Sequence, residues 1–176
     1  MKKLIFMILA ILMVAGQSTP IKAQTAKAST TAGAEIVGAI SITSDASLNF
    51  GKMSAPSADV DVTISTTKLV TSTNSSVISL FSTNAANAHY NVSGASGFAY
   101  NITLPADDHV LIESGLNSMH VNGFKARTTS ISGSDGTSGT LVSGVDTFVV
   151  GATLKVKSGQ LVGTYSGTFD VIVAYN

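Results

Sequence analysis

Apolar and polar residues alternate with a period of two along much of this chain, the mark of strands that bury one face. Val60, Val62 and Ile64 share a face, with Asp59, Asp61 and Thr63 on the other. Phe98, Tyr100, Ile102 and Leu104 stand against Ala99, Asn101 and Thr103 in the same way. Phe148, Val150, Ala152, Leu154 and Val156 form a third apolar face, with Lys155 and Lys157 turned outward. Ile36, Ile40 and Ile42 align, followed by the short apolar pair Leu48 and Phe50. Val77–Phe81 is apolar on both faces, as a central strand requires. Turn-forming clusters separate these runs at residues 55–57, 94–97, 105–108 and 132–139. Outside the N-terminal apolar run, no segment sustains a helical period. The pattern predicts an all-β fold in one domain, an antiparallel β-sandwich or a barrel.

Two stretches depart from this pattern. Gln24–Gly33 is rich in Ala and Thr and has no large apolar residue, so it reads as a flexible arm. If extended, it places Ala26, Ala28, Thr30, Ala32 and Ala34 on one face. Ser130–Ser143 crowds Gly and Asp between strands and reads as an exposed loop.

The chain begins Met1-Lys2-Lys3, continues through an uninterrupted apolar run, Leu4–Gly16, and then turns small and polar around Ala23, Ala26 and Ala28. This is the layout of a secretory signal peptide. The run is shorter than the roughly 20 residues a spanning helix needs. The expected organisation is a signal peptide over residues 1–23, an arm over 24–35 and a sandwich over 36–176, with no membrane span in the mature chain. Loss of Lys2, Lys3 and Lys22 turns the even balance of 10 basic and 10 acidic residues into an acidic excess. That charge supplies no basic surface for nucleic acid. With Cys 0, there is no disulfide framework and no thiol nucleophile. Ser and Thr make up about a quarter of the chain while Glu occurs only twice, a composition that favours short strands over long helices.

A search for chemistry returns little. There is no nucleophile elbow, no phosphate-binding glycine loop, no zinc-binding helix motif and no dinucleotide fingerprint. His89, His109 and His120 lack the spacing of a ligand set. Strand alternation accounts for Asp59 and Asp61 as a solvated face, and Asp107-Asp108 after Pro105 reads as a turn. The expectation is a non-enzymatic protein without a cofactor or metal.

The C-terminus is the informative segment. Leu161, Gly163, Tyr165, Gly167, Phe169, Val171, Val173 and Tyr175 alternate with Thr164, Ser166, Thr168, Asp170, Ile172, Ala174 and Asn176. This predicts one long amphipathic strand running to the last residue. A neighbour must hold such a strand, since chain ends otherwise fray. It would lie in the middle of a sheet or at an edge awaiting a partner.

This ending resembles that of chaperone–usher pilin subunits, which carry a glycine fourteen residues from the end, alternating apolar residues and a penultimate tyrosine. Gly163 and Tyr175 stand at those places. The segment is also similar to the end of the spore coat protein U group. It is most similar to an uncharacterised secreted bacterial family related to that group, in which strands like Ala39–Thr43 and Leu48–Met53 open the domain. The resemblance covers about residues 34–53 and 152–176.

What it implies is an immunoglobulin-like, pilin-like sandwich lacking its final strand. A periplasmic chaperone, and then the arm of a neighbouring subunit, would lend the missing strand by β-augmentation. An usher and a fimbrium at the cell surface follow by the same resemblance. Carried over by position, Gly163, Tyr165, Phe169, Val171, Val173 and Tyr175 would line the partner-strand groove. Ala26, Ala28, Thr30, Ala32, Ala34 and Ile36 would be the donor arm. The sequence departs from the pilin pattern in lacking a cysteine pair and in the small side chains of the arm. Ile36, Ile40 and Ile42 are the alternative donor residues. The alternative function is a self-complete secreted sandwich that binds carbohydrate or another surface ligand through exposed aromatics, with Tyr90, Phe98, Tyr100 and Phe124 as candidates. A small outer-membrane barrel would need aromatic girdles, which four Tyr, seven Phe and no Trp supply thinly.

Overall fold

A computed structural model describes residues 22–74, 84–131 and 133–176. Ile36–Asn176 is one compact unit, while residues 22–35 form no strand and are exposed throughout. Val77–Phe81, expected as a central strand, lies outside the described residues.

The compact unit is all-β. In chain order its strands are β1 (Ser41–Ala46), β2 (Val60–Ile64), β3 (Val70–Ser72), β4 (Ala88–Ser93), β5 (Ala99–Thr103), β6 (Val110–Ser114), β7 (Asn117–Thr128), β8 (Ser138–Thr140), β9 (Val145–Val156) and β10 (Ile172–Tyr175). All pairings are antiparallel, in a seven-stranded sheet and a three-stranded sheet ordered β10-β5-β8. The sheets pack together as a β-sandwich.

Strand β9 is the axis of the larger sheet. One edge pairs with β7. The other pairs first with β4, through Val145–Val150, and then with β2, through Ala152–Val156. The hand-over falls at Gly151, where the backbone of Ile64–Thr66 crosses so closely that a Cβ would collide with it. The apolar face expected of this strand is fully formed: Phe148, Val150, Ala152, Leu154 and Val156 are all buried. Val60, Val62 and Ile64 of β2 are buried beside it, with Asp61 turned outward to Lys155 at 2.6 Å. Strand β7 changes frame midway. Met119 and Val121 point inward, then Phe124, Ala126 and Thr128 do, because a bulge at Gly123 (φ 62°) inserts one residue.

The core consists of two clusters along the strand direction. One gathers Val60, Val62, Met119, Val121 and Leu154; the other gathers Val92, Tyr100, Ile102, Leu141, Phe148 and Val150. Leu48, Phe124 and Phe169 pack against both. The stretch expected as an exposed loop, Ser130–Ser143, is so only in part. Ser138–Thr140 forms β8 against β5, and Leu141 is fully buried. A single inward leucine among polar neighbours leaves no period to read, yet it fills the space beside Tyr100 and Phe148.

One buried carboxylate ties the sheets together. Asp146 lies on the inward face of β9, 8% exposed. It accepts hydrogen bonds from the Tyr100 hydroxyl at 3.0 Å, the Ser130 amide at 3.1 Å and the Thr147 amide at 2.8 Å, and it pairs with the Ser130 hydroxyl. Burial first, and then the adjacent Asp146 carboxylate, push the Tyr100 phenol well above its ordinary range, so it stays a donor. Asp146→Ala orphans the buried Tyr100 hydroxyl and is expected to cost about 3 kcal/mol, whereas Tyr100→Phe removes one donor only and is expected to cost about 1 kcal/mol. Guanidinium unfolding of the two variants measures the difference; equal losses would remove the carboxylate from this role.

Candidate strand-docking edge

The C-terminal segment keeps its alternation but not its ladder. From Tyr165 to Asn176 the even positions are exposed, while Tyr165, Phe169, Val171, Val173 and Tyr175 are half-buried. Regular strand is confined to Ile172–Tyr175, paired with Thr103–Tyr100 of β5. Earlier, Ser166 makes a reciprocal pair of backbone bonds with Glu113 of β6, at 2.9 and 3.0 Å. The single strand expected from Leu161 onward is therefore corrected. The segment has two successive partners, β6 and β5, and the connection 104–109 between them leaves the middle without a ladder. Leu161 stands outside the apolar face at 61% exposure, and Gly163 is exposed beside the Ser114 side chain.

Antiparallel pairing alternates which residues bond to the neighbour. Ser166 bonds to β6 and Asn176 donates to Ala99 O at 3.1 Å, so the even positions face β6 and β5. The backbone groups of Val171, Val173 and Tyr175 then point to the opposite edge, where β10 has no strand partner among the described residues. Across from it lies β1, itself an edge strand paired only with β4. Ile40, Ile42 and Leu48 contribute half-buried apolar groups on that side. Phe124 packs against this segment from β7, its ring 4.9 Å from that of Phe169.

The two edges converge at one end through Tyr175. Its hydroxyl donates to Gly38 O at 2.7 Å and accepts from the Ala95 amide at 2.6 Å, while its ring packs 5.6 Å from that of Phe98. Gly94 makes room for this; a Cβ there would overlap the hydroxyl. At the other end, Tyr165 donates to Leu161 O at 2.8 Å and accepts from Gln160 at 2.9 Å. Strand β1 is fastened to β4 by Asp45 and His89 at 2.6 Å, and that bond holds the Asp45 carboxyl below its usual range.

Of the groove residues expected from sequence, Tyr165, Phe169, Val171, Val173 and Tyr175 share the half-buried face; Gly163 does not join it. The arm residues Ala26, Ala28, Thr30, Ala32 and Ala34 are exposed and in no strand. Ile36, expected to align with Ile40 and Ile42, is 97% exposed because β1 begins only at Ser41. The sequence named Phe124 only as a candidate exposed aromatic and Gly94 only as a turn residue, and Gly38 was not singled out. The lone Gly123 inside a strand pattern was the available signal for the bulge that brings Phe124 inward.

No aromatic platform forms from the candidates named for one. Tyr90 stacks on Phe148 at 4.9 Å, Tyr100 is buried, Phe98 meets Tyr175 and Phe124 meets Phe169. The outer face of the larger sheet carries a shallow polar cleft of about 440 Å³ lined by Asp61, Thr63, Thr73, Asn122, Thr153 and Lys155. Asp59 is held low by the Ser158 amide and Lys157, which makes it part of a solvated ion-paired face. Among the described residues no three His, Cys, Asp or Glu side chains converge as a metal site, and no helix is long and apolar enough to cross a membrane.

No curated protein and no solved structure matches the chain. Residues 40–175, from the approach to β1 to the end of β10, match the family described as Domain of unknown function (DUF4402), and the chain belongs to that family.

Proposed function

We propose that this chain is an exported, non-enzymatic pilin-like subunit, structural or adhesive, assembled by strand donation. The observation that carries the reading is the edge itself. Five inward side chains, Tyr165, Phe169, Val171, Val173 and Tyr175, are each only half-buried, beside a row of backbone groups with no strand partner among the described residues. An added strand would take up those backbone groups and complete the burial of the side chains. An open apolar edge is otherwise an aggregation hazard.

The reach of the arm fits this role. Residues 24–35 extended at about 3.3 Å per residue span about 40 Å, enough to lie along the half-buried face from Tyr165 to Tyr175. The small inward positions Ala26, Ala28, Thr30, Ala32 and Ala34 suit a shallow groove, with Ile36 as the one large anchor. In this reading a periplasmic chaperone occupies the edge in transit, an usher exchanges it for a neighbour's arm, and the filament stands at the cell surface. The pilin-like and coat-protein-like ending supports the same conclusion. A second reading, a self-complete sandwich that binds carbohydrate, draws on the polar cleft around Thr63, Thr153 and Asn122.

The test is a denaturing gel of surface-extracted protein, unheated against boiled. Strand-exchanged polymers are expected to give a ladder that collapses on boiling. A monomer band in both lanes would overturn donation and favour the second reading. Deleting residues 26–35, which form no strand, is expected to abolish the ladder while the circular dichroism of the sandwich is kept. Val173→Asp on the inward face is expected to do the same, whereas Ile172→Asp on the outward face, 59% exposed in the native chain, is expected to leave the ladder intact.

A further inference from the structure

Several of the large apolar side chains that the fold leaves in water lie at its two ends. At one end Leu116 is 104% exposed, Leu161 61% and Val162 93%. They belong to two adjacent loops: Gln160 reaches Ser118 O at 3.4 Å, and Gly163 lies against Ser114. At the other end Ile36 is 97% exposed, Val142 63% and Val145 58%, with Phe98 at 38% beside them. Their loops are also joined: Gly94 donates to Gly144 O at 2.9 Å, Gly97 donates to Leu141 O at 2.7 Å, and Tyr175 reaches Gly38. Turn tips ordinarily carry Gly, Asn, Asp or Ser. Exposed aliphatics gathered in this way mark an interaction surface.

We infer that these two poles are the halves of one contact between successive copies of this chain. They cannot meet within a copy. Strand β9, 12 residues long, begins at the Val145 pole and ends, one turn later, at the Gln160 pole, which sets them about 37 Å apart. Two different patches at opposite ends of one molecule form a head-to-tail contact, and such a contact generates a filament. The order in which the poles meet rests on the strand-donation reading. A donated strand antiparallel to residues 163–175 ends beside Gly163, so the donor's Ile36 arrives at the acceptor's Leu116, Leu161 and Val162. The pole contact and the donated strand therefore run in the same direction, and the partner is a second copy of this chain.

The absence of native cysteine makes the test direct. Val142→Cys, Val162→Cys and the double variant are made in the full chain, at exposed positions, and treated with a short bis-maleimide on the extracted material. Samples are boiled before electrophoresis. An intramolecular link is out of reach at the spacing above. The expected result is a boil-resistant ladder in the double variant, at least ten-fold above either single variant. A boiled monomer band in the double variant, with an unheated wild-type ladder, would overturn the pole contact and leave strand donation standing. Dimers in the single variants, with nothing longer in the double, would mean like-to-like contact and would also overturn it. A cross-linked ladder without an unheated wild-type ladder would uphold the pole contact and remove strand donation. Monomer in every lane would overturn both.

Discussion

Backbone pairing on both edges of β9, with its inward face wholly buried, is the constraint from which the remaining strands take their places. Residues 148–156 leave no freedom of register, because a slip by one would drive Phe148 and Leu154 into water. On one side β4 and β2 must share the strand end to end, and Gly151 is where the backbone makes room for the exchange. On the other side β7 follows β9 from Phe148 to Lys155 only by absorbing a bulge. That bulge turns Phe124 inward, and Phe124 joins the two halves of the core. Full burial of a side chain of this size is worth about 2 kcal/mol, of which the half-buried Phe124 gains a part.

The C-terminal segment has the same alternation with half of the partnership. Its inward residues touch both core clusters, so it belongs to the fold, yet one edge of its backbone faces no strand among the described residues. The two segments share the alternation but differ in ladder length, in burial of the inward face and in the number of paired edges. The last of these separates a structural element from a candidate docking element. Tyr175 limits the opening at one end by bonding to Gly38 and Ala95.

Much of this was legible in the residues. Period-two runs placed Val60–Ile64 and Phe148–Val156 correctly, and Phe98–Leu104 except for Phe98, which stays 38% exposed ahead of β5, because one face of each run meets the core and the other meets water. Reading failed where burial is not periodic. Leu141 is a single residue that fills a hole. Ile36 alternates in phase with Ile40 and Ile42, but the chain has not yet entered the sheet. Leu161 continues the apolar phase beyond the point where β6 can cover it. Phe124 stands out of frame until Gly123 is recognised as an inserted residue. No local pattern records the half-burial of Val171 and Val173, since it depends on what stands beside them; only the resemblance of the ending pointed to an open edge there.

The bond between Tyr175 and Gly38 has a kinetic consequence. It joins residues 137 positions apart. Closing so long a loop carries an entropic cost that is met only once most of the sheet is in place. Strands β4, β9, β2 and β7 can assemble through their own pairings before that bond forms. In the collapsing chain, then, the seam beside β1 and β10 is expected to close late, and a half-folded protein leaves it open to other chains until the larger sheet has formed.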